Sequence, residues 1–367
     1  MANHEIKRVG ILTGGGDCPG INAVIRAVTK TAMFDHGWAC YGIEDGFLGL
    51  IENRIRPLSR EDASNILTRG GTILGTSNKA DPARFAIGRN EQGEPIFADV
   101  RTTAMDHFNE HGLDALVVIG GDGTMSCAAG MIPMGLRCVG VPKTIDNDLM
   151  HTHVTFGFQT AVEIATEALD RLHTTAASHH RIMVCELMGR NAGWLTLHAG
   201  LASGSDVILI PEIPYDVGRI CDYCNERMKH RKAFTIAAVS EGARPADGKQ
   251  FVQRTIADSP DPIRLGGIAH HLQEQIERCS RIETRAVVLG HIQRGGTPCA
   301  ADRVLSTRFG HAATDLLARG EFNRLVVIQQ GAIMSVPITE VAHQQRTVDP
   351  KGELVRIARS VGTCFGD

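Results

Sequence analysis

The sequence predicts an α/β fold with mainly parallel sheets, divided between two domains. Continuous apolar runs recur along the chain, as in residues 114–119, Asp-Ala-Leu-Val-Val-Ile, the pattern of a parallel strand covered on both faces. These runs empty at their carboxyl ends into glycine-rich, polar or charged clusters, which is where open parallel sheets bind ligands. A length of 367 residues allows two domains or a little more.

Residues 8–12 read as the first strand. The loop Thr13-Gly14-Gly15-Gly16-Asp17-Cys18-Pro19-Gly20 follows, and Ile21, Val24, Ile25, Val28 and Ala32 give the next helix one apolar face. This order of strand, glycine loop and helix sets backbone amides and a helix N-terminus beside a phosphate. The spacing is neither Gly-x-Gly-x-x-Gly nor the form ending in Gly-Lys-Ser/Thr, so neither a dinucleotide fold nor a P-loop NTPase is supported. Residues 69–79, Arg-Gly-Gly-Thr-Ile-Leu-Gly-Thr-Ser-Asn-Lys, form a second glycine turn and another candidate phosphate neighbour. The run at 114–119 then opens into Gly120-Gly121-Asp122-Gly123-Thr124. Glycines there let N–H groups approach an anion, and Asp122 offers the hard oxygen that Mg²⁺ prefers.

Residues 139–148, Val-Gly-Val-Pro-Lys-Thr-Ile-Asp-Asn-Asp, are too polar after Pro142 to continue as a buried strand by packing alone. In an extended segment Asp146 and Asp148 leave on the same side. One carboxylate suits a base, the other suits holding a cation nearby, and Lys143 and Thr144 suit an arriving anion. Taken alone, these ten residues also suit a polar loop capping the next helix. A second glycine loop some twenty residues earlier, also leaving a strand, favours a site.

Residues 156–177 read as a helix, with Ile164, Ala165, Ala168, Leu169 and Leu172 on one stripe. Strand-like runs resume at 181–187, 206–210, 233–239 and 284–289. They end respectively at Met188-Gly189-Arg190, Pro211-Glu212, Ser240-Glu241-Gly242 and Gly290-His291-Ile292-Gln293-Arg294-Gly295-Gly296. Arg181, Arg190, Arg285, His291 and Arg294 gather near strand ends, where forked guanidinium groups and an imidazole suit a phosphate monoester. Glu241 suits gripping sugar hydroxyls. Residues 243–261 and the last twenty or so read as polar and linker-like.

Charged residues make up 22% of the chain and the formal net charge is −3. No basic excess suggests nucleic acid, and no polybasic run suggests a membrane surface. The first residues lack an apolar signal core, and no apolar stretch reaches the roughly 18–20 residues that span a bilayer. The expectation is a cytoplasmic protein acting on a small molecule. Ten scattered cysteines suit reduced core thiols better than a disulfide framework, and Cys221-x-x-Cys224 lacks partners for a zinc site.

The loops at Gly14 to Asp17, Gly120 to Gly123, Pro142 to Asp148, Met188 to Arg190 and Gly290 to Gly296 together resemble the motif set of the 6-phosphofructokinases, in family order and across nearly the whole chain. That resemblance implies two Rossmann-like three-layer domains, residues 1–157 with about 294–340 for nucleotide and Mg²⁺, and 158–293 with about 341–367 for the sugar phosphate. The active site falls in the cleft between them. It further implies that Asp146 takes the proton from the 1-hydroxyl of fructose 6-phosphate, with Thr144 and Arg190 completing the catalytic set. Asp122 and Asp148 stand at the metal, while Gly16 and Gly121, Asp122, Gly123 and Thr124 line the nucleotide phosphates. Met188, Gly189, Arg190, Glu241, His291 and Arg294 match substrate contacts. Arg181 and Arg285 match arginines donated across a subunit interface, which implies a homodimer or homotetramer with shared active sites.

Departures from the family pattern fall at Asn78-Lys79, where an arginine is common, at Ser126-Cys127 on the adenine side, and at Lys30 and His173 among the regulatory arginines that Arg26 and Arg54 otherwise match. Gly123 and Lys143 bear on the donor. In this family a carboxylate at the position of Gly123 goes with pyrophosphate, whereas glycine leaves room for the α-phosphate of ATP. Lys143 matches pyrophosphate users, but it places no obstacle before ATP. The reading is an enzyme using Mg²⁺ and ATP, of the mixed-donor branch. The alternatives are a pyrophosphate-dependent enzyme and, more remotely, a non-catalytic sugar-phosphate or nucleotide sensor.

Overall fold

A computed structural model describes residues 6–229, 234–246, 248, 250–256 and 262–367. The chain opens with β1 (Arg8–Thr13), α1 (Ile21–Asp35), β2 (Ala39–Ile43), α2 (Phe47–Ile51) and β3 (Ile55–Leu58). A ribbon of β4 (Phe85–Arg89) and β5 (Pro95–Ala98) precedes α3 (Arg101–Glu110), β6 (Ala115–Gly120), α4 (Asp122–Met131) and β7 (Cys138–Pro142). The long α5 (Phe158–His179) leads into β8 (Ile182–Leu187), α6 (Trp194–Ala202), β9 (Val207–Leu209), α7 (Val217–Lys229) and β10 (Thr235–Ser240). Next come a second ribbon, β11 (Val252–Thr255) with β12 (Ile263–Leu265), then α8 (Ile268–Ser280) and β13 (Thr284–Val288). The remaining elements are α9 (Ala300–Ala318), β14 (Arg324–Gln329), β15 (Ala332–Pro337) and α10 (Glu353–Ser360).

Two sheets result. The first has seven strands in the order β15-β14-β7-β6-β1-β2-β3, parallel except at its two edges. The second has four parallel strands in the order β13-β8-β10-β9. Strand alternation explains the apolar runs. Ala115, Val117 and Ile119 of β6 face a core shared with α1 and α9, whereas Leu116 and Val118 face a separate core with α2, α3 and α4. In the second sheet, Ile182 and Val184 pack with α7 and α8, while Met183 and Cys185 pack with α5 and α6. Each sheet, covered on both faces, makes a three-layer α/β unit, the architecture that the resemblance implied.

Three expectations are corrected here. The final twenty residues are not a linker: Val348, Val355, Ala358 and Phe365 bury against Leu197, Ile208 and Ile210 beside the second sheet. An apolar pattern of one short helix is too sparse to stand out in sequence. The stretch 243–261 holds β11, paired antiparallel with β12, and residues 247, 249 and 257–261 lie outside the described residues. Finally, the thiols are not all isolated from one another: Cys221 on α7 and Cys279 on α8 stand sulfur to sulfur, with Cα atoms 6.2 Å apart, while the other eight cysteines are free. The partners stand 58 residues apart, so only the packing of α7 on α8 brings them together.

Candidate active site

The carboxyl end of β6 turns directly into α4, whose N-cap is Gly121 with no side-chain cap. Without a capping side chain, the first amides of α4, at Asp122, Gly123 and Thr124, remain available to an anion. A Cβ at Gly120 would collide with Thr124, so this tight turn requires glycine, whereas a Cβ at Gly123 would meet nothing within 4 Å. The first glycine loop lies alongside. Gly14 N–H donates to Ile119 at 2.9 Å, Gly15 N–H to Ser77 at 3.0 Å, and Thr76 Oγ1 to the Gly15 carbonyl at 2.6 Å. The structure therefore joins the turn at residues 69–79 to the Gly14–Gly16 loop. Arg26 and Lys30, by contrast, line a separate surface cavity of about 380 Å³, and Arg54 is engaged by Asp45 at 2.5 Å and Glu52 at 3.0 Å.

Beyond β7 the chain is polar yet buried: Lys143 is 3% exposed, Asp146 5%, Asn147 3% and Asp148 4%. The segment is not extended as the alternation argument assumed. Asn147 sits in the left-handed region at φ 53°, a conformation asparagine tolerates, and the chain bends at residues 145–146. Local bonds hold that bend. Asp146 N–H donates to Thr144 Oγ1 at 3.0 Å, Thr155 N–H to Asn147 Oδ1 at 3.0 Å, and Thr155 Oγ1 to the Thr144 carbonyl at 2.7 Å. Asp146 Oδ1 is buried and finds no hydrogen-bond partner among the described residues. Lys143 Nζ donates to the Gly16 carbonyl, and burial lowers the pKa of its ammonium. Burial raises the Asp148 carboxyl to about 7, and the charges of Asp146 and Asp122 push in the same direction.

A cation beside these carboxylates would relieve that clustering of negative charge. Among the described residues no three His, Cys, Asp or Glu side chains form a metal cage. Gln345 Nε2 nevertheless lies 3.3 Å from Oδ2 of both Asp122 and Asp148, so those two carboxylates adjoin one point. A pair of hard oxygen ligands fits Mg²⁺, which binds through one or two carboxylates and completes its shell with water and phosphate.

The second sheet contributes the facing loops. Gly189, at φ 139°, and Arg190, at φ 51°, turn the chain sharply after β8. Arg190 N–H then donates to Glu241 Oε1 at 3.1 Å after β10. Gly242 is required there, because a Cβ would overlap the Arg190 carbonyl. Burial, followed by the charge of Asp146, raises the Glu241 carboxyl to about 7. Met188 N–H reaches Gln293 Oε1 at 3.4 Å, and Arg294 Nη1 reaches the Asp17 carbonyl at 3.1 Å, so the turn holding His291 and Arg294 joins both sheets' loops.

Arg181 and Arg285 are not brought to this cluster. Arg181 precedes β8 and Arg285 is the second residue of β13, at the amino edge of the sheet, whereas Met188 and Arg190 follow β8 at its carboxyl end. Six strand residues separate those edges by roughly 20 Å. Both arginines pair with Glu283, Arg181 at 2.9 Å.

Sequence reasoning missed Gln345, Arg346 and the role of Glu212. Arg346 Nη2 donates to the Asn147 carbonyl at 2.8 Å, and its N–H donates to the Asp148 carbonyl at 2.7 Å. Glu212 accepts from Gly193 at the start of α6 at 2.9 Å and from Val348 at 2.8 Å. No local pattern marks such residues, since their partners are far away in the chain.

A family model described as phosphofructokinase matches residues 8–317. The chain is 50% identical over 365 residues to an ATP-dependent 6-phosphofructokinase 2 of Clostridium perfringens, covering 99% of this chain and 100% of that one. It is also 46% identical over 344 residues to a pyrophosphate–fructose 6-phosphate 1-phosphotransferase of Amycolatopsis methanolica, covering 94% and 97%. Among solved structures, the T-state phosphofructokinase of Pichia pastoris superposes with a TM-score of 0.76 at 31% identity, covering 92% of this chain and 35% of that longer one. With the glycine loops, the buried Asp146 bend and the Arg190–Glu241 contact in place, these matches establish that the chain belongs to the phosphofructokinase family.

Proposed function

We propose that the protein is an ATP-dependent 6-phosphofructokinase, transferring the terminal phosphoryl group of ATP to the 1-hydroxyl of fructose 6-phosphate to give fructose 1,6-bisphosphate in glycolysis. The observation that carries the chemistry is the unpartnered, buried Oδ1 of Asp146, on a carboxylate near enough to Asp148 and Glu241 for its charge to raise both of theirs. A carboxylate oxygen so placed takes the hydroxyl proton as the sugar oxygen attacks phosphorus. Thr144 holds the bend that presents it.

Gly16, Gly121, Gly123 and Thr124 receive the nucleotide phosphates. Met188, Gly189, Arg190, Glu241, His291 and Arg294 receive the sugar phosphate, and Arg181 and Arg285 serve the site of a second subunit in a homodimer or homotetramer. Asp122 and Asp148 would hold Mg²⁺, which when bound would neutralise charge on the transferred group. In this reading residues 1–157 with about 294–340 form the nucleotide domain, residues 158–293 with about 341–367 form the sugar domain, and the enzyme works in the cytoplasm. None of the helices among the described residues is long and apolar enough to cross a membrane.

Open space at Gly123 supports ATP over pyrophosphate, because nothing there crowds an α-phosphate. Similarity to a pyrophosphate-using relative keeps the second donor as the alternative. Turnover measured side by side with ATP and with pyrophosphate, at saturating fructose 6-phosphate and Mg²⁺, tests the reading. Turnover with pyrophosphate alone overturns the donor.

A further inference from the structure

Residues 343–348 cross from the first sheet's side to the second as an unpaired strap, between the short turn at Ile338–Glu340 and α10. His343 N–H donates to Ser126 Oγ on α4 at 3.0 Å. Gln345 Nε2 lies 3.3 Å from Oδ2 of Asp122 and 3.3 Å from Oδ2 of Asp148. Arg346 binds the backbone of Asn147 and Asp148, its guanidinium lies 4.5 Å over the Trp194 ring, and Trp194 Nε1 returns a bond to its carbonyl at 3.0 Å. Val348 N–H ends the crossing on Glu212 at 2.8 Å.

The two carboxylates that Gln345 touches come from separate loops, after β6 and after β7. Like charges at close range repel, and each loop alone sets only one of them. A primary amide carries two N–H donors and so can hold two acceptors at once. Gln345 engages one oxygen of each carboxylate, the arrangement by which outer partners orient metal-binding side chains. We propose that Gln345 is a positioning residue for the cation site, its amide holding Asp122 and Asp148 together as one pair of ligands although they belong to different loops. The inference rests on reading those two aspartates as the Mg²⁺ ligands.

The test uses the full chain, Mn²⁺ as the probe and a non-hydrolysable β,γ-imido analogue of ATP, with free Mn²⁺ read by electron paramagnetic resonance. Gln345→Ala removes both bonds, and Gln345→Met removes them while keeping the side chain's length. The other attachments of the strap remain in both variants, so thermal unfolding without cation is expected to match the parent. The Mn²⁺ Kd is expected to rise roughly 10–100-fold in both, the range seen when outer partners of metal ligands are lost. The KM for Mg²⁺ is expected to rise with it, while the KM for fructose 6-phosphate stays unchanged. An unchanged or tighter Mn²⁺ Kd in the Gln345→Met chain overturns the proposal, the tighter value meaning that the amide competes with the cation. Asp122→Asn separates the two readings. If it abolishes Mn²⁺ binding while the Gln345 variants bind normally, only the role of Gln345 fails; if it too binds normally, the assignment of the cation ligands fails.

Discussion

The backbone N–H of Asp146 donates to Oγ1 of Thr144 at 3.0 Å, so the hydroxyl two residues upstream fixes the bend that leaves Asp146 Oδ1 buried and unpartnered. Asp146→Asn keeps the shape but removes the base, and turnover is expected to fall about 10²–10⁴-fold or more with little change in fructose 6-phosphate binding. Thr144→Val is expected to lower kcat through the lost bend, and Thr144→Ser to restore most of it. Steady-state kinetics with direct measurement of sugar-phosphate binding checks all three. Near-normal turnover in Asp146→Asn removes the base from the mechanism.

A carboxylate at residue 123 has room to fit, since a Cβ there meets nothing within 4 Å. Gly123→Asp is therefore expected to fold and to bind fructose 6-phosphate normally while losing ATP use, because the added charge faces a nucleotide phosphate. Comparing kcat/KM for ATP and pyrophosphate reads the result. An unchanged preference for ATP shows that space and charge at this position do not choose the donor.

Arg181 and Arg285 sit at the amino edge of the second sheet and pair with Glu283, away from the loops of their own chain's site. Mixing an Asp146→Asn chain with an Arg181→Ala chain, each inactive alone, is expected to regenerate activity once subunits exchange, because some interfaces then combine an intact base with an intact arginine. Complete inactivity after demonstrated exchange rules out shared sites.

Glu241 makes stability depend on pH. Its carboxyl rises from an ordinary value of 4.5 to about 7 in the folded chain, mainly through burial and then through Asp146. Between those values the folded state holds a proton that the unfolded state has lost, so this group's contribution falls as pH rises through the window and is lowest above about 7. Glu241→Gln cannot ionise. Its stability relative to the parent is expected to grow by about 3 kcal/mol between pH 4 and pH 8 in urea unfolding without ligands. Parallel curves for the two proteins refute the buried-carboxyl argument.

Local chemistry alone determined much of this protein. The apolar run that became β6 was legible because a strand buried on both faces needs no polar alternation, and its glycine exit was legible because the tight turn at Gly120 leaves no space for a Cβ. Asp122, Asp146 and Asp148 were legible as polar residues at the ends of such runs. Even the separation of Arg181 from Arg190 was implicit, since one precedes and the other follows the same strand. Tertiary structure decided the rest, because the physical agents lie far apart in the chain. Asn147 broke the alternation that sequence periodicity assumed, held there by Thr155 and Arg346. Buried or partly buried carboxylates cap helices to which they do not belong: Asp302 accepts from Gly157 and Thr160 at α5, Glu186 from Gly267 and Ala269 at α8, and Glu212 from Gly193 at α6. A local cap leaves a motif within four residues, whereas these leave none. Gln345 reaches Asp122 across 223 residues. An ordinary glutamine in a polar tail acquires its place only when two sheets fold and the chain returns between them.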